Sequence, residues 1–114
     1  MSKIVNAEKR VDEIKNYIKN NYGDCSLTME SIAHQIGLNP RYMLKLFKEQ
    51  TDMLLKDYLL EIRISKATTL LKANMTIETV AKKCGYTSAH SFIRAFKRAC
   101  GKTPGELRKA NKED

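Results

Sequence analysis

Apolar residues recur along the chain at helical spacing, and nowhere with the strict alternation of a half-buried strand. Val11, Ile14 and Ile18, with Tyr17 and Tyr22 beside them, predict an amphipathic helix over roughly 7–21, closed by Gly23. Met29, Ile32, Ala33 and Ile36 line one face of a second helix, capped by Thr28, with Glu30 in its first turn and Gly37 as its stop. Asn39 caps a third, with Pro40 at its first position, where a missing N–H costs nothing. In that helix Met43, Leu46 and Phe47 face inward, which leaves Arg41, Leu44, Lys45 and Lys48 outward. Leu55, Tyr58, Leu59, Ile62, Ala67, Leu70 and Leu71 sustain the spacing without Gly or Pro for roughly 19 residues, about 28 Å of helix. Ile77, Val80, Ala81 and Cys84, between a Thr76 cap and Gly85, mark another helix, and Phe92, Phe96 and Ala99 bury the next. Thr103-Pro104-Gly105-Glu106 joins a capping box to a first-position Pro, opening a short last helix that fades into a frayed tail from Lys109. The fold class is therefore all-α.

The pattern states one unit twice. Thr28-Met-Glu-Ser-Ile-Ala33, Gly37 and Leu46-Phe47-Lys48 return as Thr76-Ile-Glu-Thr-Val-Ala81, Gly85 and Ala95-Phe96-Lys97. The offset is 48 up to the glycines and 49 at the phenylalanines, so the second copy gains one residue after Gly85. Each copy has the layout of a helix-turn-helix in a homeodomain-like three-helix unit. The expected organisation is a first subdomain over 1–53, a linker helix over 54–73, and a second subdomain over 74–114 with the short last helix and its tail.

Composition points the same way. Among 114 residues, 21 Lys and Arg against 13 Asp and Glu give a net charge of +8, which favours a polyanionic partner. From Thr79 to Gly105 there is no acid, while Lys82, Lys83, Arg94, Lys97, Arg98 and Lys102 supply six positive charges. Cys25, Cys84 and Cys100 form no CxxC pair, which argues against a disulfide framework or zinc site and fits a reducing cytoplasm. No signal peptide or membrane span is predicted. The sequence has no glycine-rich phosphate loop, no nucleophile-base pair and no cluster with ligand spacing, so no enzyme, cofactor or metal is expected.

From Ile77 to Arg108, residues Val80-Ala81, Gly85-Tyr86, Ser88, Phe92, Arg94, Phe96-Lys97, Gly101, Pro104 and Leu107 fall in one register. With Tyr58-Leu59, Arg63-Ile64, Ala67, Leu70-Leu71, Ile32-Ala33 and Pro40, they make the chain resemble the DNA-binding domain of AraC/XylS transcription regulators over about residues 8–108. One departure stands out: Asp52 lies where that family usually has glycine, and Asp tolerates the left-handed turn better than most residues. The resemblance implies sequence-specific binding of double-stranded DNA by a bacterial transcription regulator, an activator, with two recognition helices in adjacent major grooves of one duplex face. It also implies a cytoplasmic, nucleoid-associated protein that is monomeric unless a further N-terminal domain dimerises it. Such a chain is either a stand-alone regulator or an excised C-terminal domain.

Outward position and family register together nominate Arg41, Leu44 and Lys45 in the first unit as base contacts, and Ala89, His90, Ile93 and Arg94 in the second. Arg and Lys can donate to guanine O6 and N7, and Leu44 can touch a thymine methyl. Phosphate anchors are expected at Lys48, Lys97, Arg98 and Lys102, and at the helix starts marked by Thr28, Asn39, Thr76 and Ser88. Phe47, Phe92 and Phe96 read as core, Cys84 as a buried small hydrophobe and His34 as a surface residue. The first copy is expected to carry more of the operator-specific reading, and the second, whose recognition helix has no acid, to hold more of the phosphate backbone. The competing reading is a basic helical module that docks on RNA polymerase or another acidic partner.

Overall fold

The structure, a computed structural model, describes residues 3–113, and its regular structure is helical throughout. The helices are α1 (Lys3–Asn21), α2 (Met29–Ile36), α3 (Pro40–Thr51), α4 (Leu55–Leu71), α5 (Ile77–Lys83), α6 (Ala89–Cys100) and α7 (Pro104–Glu113). The chain forms two compact units that divide within α4, after Glu61; the Gly23–Ser26 segment belongs with the second.

In the first unit, Ile14, Ile18, Ile32, Met43 and Phe47 are fully buried, and the Phe47 ring meets Tyr58 with centroids 5.5 Å apart. Arg10 ties α1 to the end of α2: one guanidinium nitrogen donates to Glu13 at 2.8 Å and another to the Ile36 carbonyl at 2.7 Å. That carbonyl is among those a helix end leaves without an internal partner. The second unit is built around Ala67, Leu71, Val80, Ala81, Cys84, Phe92 and Phe96. Phe92 lies 5.5 Å from Tyr86 and meets Phe96 edge-on at 5.6 Å, an arrangement aromatic quadrupoles favour. Burial pushes the Cys84 thiol up to about 11, so it remains a protonated core group at neutral pH.

The two copies fold alike down to their turns. Thr28 and Thr76 both cap through the side chain, accepting from Ser31 N at 3.0 Å and from Thr79 N at 3.1 Å. At the other end of the scaffold helices, Leu38 N reaches back to the Ala33 carbonyl at 2.9 Å and Tyr86 N to that of Ala81 at 3.0 Å. Gly37 (φ 80°) and Gly85 (φ 89°) make both closures possible, since the left-handed conformation crowds a Cβ. The added residue sits just beyond, in the turn: Leu38 alone separates Gly37 from the Asn39 cap, whereas Tyr86 and Thr87 separate Gly85 from Ser88. The longer turn is held by Arg63, which stacks over Tyr86 at 5.6 Å and donates to the Asp24 carbonyl at 3.1 Å.

Asp52 takes the turn expected of it, at φ 58°, the only non-glycine with positive φ among the described residues. Four boundaries differ from the sequence reading. The helix expected over 7–21 begins at Lys3, because residues 3–6 contain no breaker, and α4 has 17 residues. The scaffold helix of the second copy stops at Lys83, with Cys84 as its cap and Gly85 one step beyond. The tail expected to fray from Lys109 continues α7 to Glu113, in keeping with the helix-favouring Lys, Ala and Glu there; Asp114 lies outside the described residues. Ala99, placed in the core by its spacing from Phe92 and Phe96, is exposed because it falls in the last turn of α6, where nothing covers it.

Candidate nucleic-acid interface

Each unit offers one helix with a buried apolar face and a cationic outer face. In α3, Asn39 accepts from the N–H groups of Arg41 at 2.9 Å and Tyr42 at 3.3 Å, which fixes the first turn. Burial of Met43, Leu46 and Phe47 then sets the rotation of the helix about its axis, and Arg41, Tyr42, Leu44, Lys45, Lys48 and Glu49 are exposed. Lys45 lies 4.0 Å from Glu49, with 74 % of its side chain accessible. Lys48 bends toward the helix end, 3.3 Å from the Asp52 carbonyl and 3.5 Å from its carboxylate. Leu44 is not an isolated outward residue: with Met29, Leu54, Leu55 and Lys56 it borders an apolar groove of about 150 Å³.

The same construction recurs in α6, where Ser88 accepts from Ser91 N at 3.1 Å and Phe92 and Phe96 set the rotation. His90, Arg94, Lys97 and Arg98 are exposed, whereas Ala89 and Ile93 are half-buried and offer bases only an edge. Arg94 and Arg98, one turn apart, flank a shallow depression with Ser91 and Ala95. Lys102 is exposed in the turn before α7. Glu106 lies in the field of Lys97 and Lys102; hydrogen bonds from the Thr103 backbone and then its side chain hold its carboxyl below the usual carboxylate range, and both lysines add to this.

Two outward residues were missed from sequence. Tyr42 is 54 % exposed on α3, and Ser91 occupies the equivalent place on α6, counting from the caps. Helical spacing from Phe47 and Phe96 alone would have exposed both. At the scaffold starts the hydroxyls of Thr28 and Thr76 are engaged in capping. Among the described residues, no group of three or more His, Cys, Asp or Glu could hold a metal ion, and no helix is long and apolar enough to cross a membrane.

A helix-turn-helix domain family matches residues 32–110, more than two thirds of the chain. The chain belongs to this AraC/XylS-type family. It is 31 % identical over 100 residues to the Msm operon regulatory protein of Streptococcus mutans, a match that covers 87 % of this chain and 36 % of that protein. Among solved structures, the C-terminal domain of AraT, a response regulator from Geobacillus stearothermophilus, superimposes with a TM-score of 0.87 at 30 % identity, covering 89 % of this chain and 84 % of that one. The DNA-binding domain of AdpA, a global transcriptional factor solved in complex with a target DNA, shares the fold at a TM-score of 0.81 and 22 % identity, with 88 % and 90 % covered. This AraC/XylS-type chain spans only part of the curated relatives it matches, 36 % of the Streptococcus mutans protein and from 11 % to 55 % of others.

Proposed function

We propose that this chain is the sequence-specific DNA-binding part of a bacterial transcription regulator, with α3 and α6 lying in adjacent major grooves on one duplex face. The observation that carries this is the matched construction of the two helices: capped start, buried phenylalanine face, exposed cationic face. An α-helix fits the major groove of B-DNA, and successive turns of one face recur every 34–36 Å or so. Arg41, Leu44 and Lys45 read bases from α3, and Ala89, His90, Ile93 and Arg94 from α6. Arg94 also comes within reach of a phosphate when displaced slightly. Lys48, Lys97, Arg98 and Lys102 anchor phosphates, helped by N–H groups at the starts near Thr28, Asn39, Thr76 and Ser88. Lys48 must leave Asp52 to do so, and Lys97 and Lys102 act in spite of the nearby Glu106.

The functional organisation in this reading is a subdomain over 1–53, a connecting helix over 54–73 and a subdomain over 74–114. The chain binds as a monomer, in the bacterial cytoplasm on the nucleoid, and activates transcription through contact with RNA polymerase. Catalysis has no part in it. Selection from a degenerate duplex library tests the reading: the 114-residue chain should enrich a defined motif, and binding without enrichment that salt suppresses fully would refute it.

A further inference from the structure

The exposed face of α3 carries one acid. Counted from the caps, Asn39 in α3 and Ser88 in α6, Lys45 is equivalent to Arg94 and Lys48 to Lys97, but Glu49 stands where α6 has Arg98. Glu49 does little for the helix itself. It lies in the last turn of α3, where the helix dipole disfavours an acid, and Lys before Glu is the weaker order of an i,i+4 pair. Its separation from Lys45 is 4.0 Å, with the side chains 74 % and 57 % accessible, so the pair is water-screened.

We propose that Glu49 is a specificity-determining residue of the first recognition helix, one that suppresses binding to non-cognate DNA by opposing the phosphates and by competing with them for Lys45. This rests on the reading of α3 as a recognition helix. On any duplex Lys45 must leave Glu49 before it contacts DNA. On the right sequence the directional hydrogen bonds to a base edge repay that separation. On a wrong sequence only the attraction between Lys45 and a phosphate remains, and the neighbouring carboxylate weakens it. The cost of parting Lys45 from Glu49 is common to both complexes; the difference comes from the phosphates, because a non-specific complex is held by backbone contacts alone and Glu49 opposes those directly. In α6 the equivalent Arg98 adds to backbone attraction at every sequence.

The test compares the 114-residue chain with Glu49→Gln on two duplexes, one bearing the selected motif and one with that motif scrambled. Glu8→Gln, an exposed position on α1, is the control for an equal change in net charge. Glu49→Gln should bind the scrambled duplex about fivefold tighter, and the motif less than about twofold tighter. The salt slope on scrambled DNA should steepen by about one unit. Equal tightening on both duplexes, no tightening on either, or the same result from Glu8→Gln would overturn the role given to Glu49. Failure of the unmodified chain to distinguish the two duplexes would instead overturn the DNA-reading role of α3, and this inference with it.

Discussion

Phe96→Ala is expected to destabilise the second unit by about 3–5 kcal/mol. The ring has no exposed surface, meets Phe92 edge-on at 5.6 Å, and sets the rotation that turns Arg94, Lys97 and Arg98 outward. Truncation forfeits the transfer free energy of the ring and leaves a cavity that α5 and α6 can close only in part. A stability of about 5–15 kcal/mol is typical of domains in general, so such a loss brings a small unit close to unfolding. Urea denaturation should show the shift, and amide hydrogen exchange should place the loss of protection in α5, α6 and α7. Retained protection in these helices would mean that the phenylalanine face is not what orients α6.

The second large effect concerns reading rather than folding. Arg41→Ala and Lys45→Ala are both exposed substitutions, so the fold should survive them. Each should cost roughly 1–3 kcal/mol on the selected motif and relax the preference at one base position, because the donors to a base edge are removed. Lys97→Ala should behave differently, weakening all sequences alike and lowering the salt slope by about one unit. Competition binding at several salt concentrations separates the two patterns. Uniform loss from Arg41→Ala would remove it from the base-reading set.

Local rules made much of the fold legible, because each helix start and stop has a chemical cause close in sequence. Thr28, Asn39, Thr76, Ser88 and Thr103 all cap through the side chain, Gly37 and Gly85 adopt the left-handed turn, and Asp52 substitutes for glycine at φ 58°. Helical period located Phe47, Phe92 and Phe96 in the core. Ala99 shows the limit of that reasoning: period places a residue on a face, but burial requires a neighbour to cover it, and the last turn of α6 has none.

The charged surface was less legible, since electrostatic neighbours are set by tertiary structure. The run from Thr79 to Gly105 contains no acid, yet Glu106, one residue beyond it, lies in the field of Lys97 and Lys102 once the Thr103 cap forms. Lys48 is drawn to the carbonyl and carboxylate of Asp52, the residue that ends its own helix. Leu44, nominated for its outward position, shares an apolar groove with Leu54, just before α4, and Leu55 at its start. The Glu106 and Leu44 neighbours follow from turns that bring together residues the helical period does not relate, whereas Lys48 and Asp52 stand four apart, a spacing legible in the sequence.

The proposal that two recognition helices engage one duplex is tested most directly by guanine N7 methylation interference on the selected motif, since Arg41, Lys45 and Arg94 are the groups assigned to guanine edges. Two clusters of guanines whose methylation blocks binding are expected, centred about one helical turn, roughly 10 base pairs, apart. Arg41→Ala should relieve one cluster and Arg94→Ala the other. A single cluster, or binding indifferent to methylation at every guanine, would contradict two-helix reading.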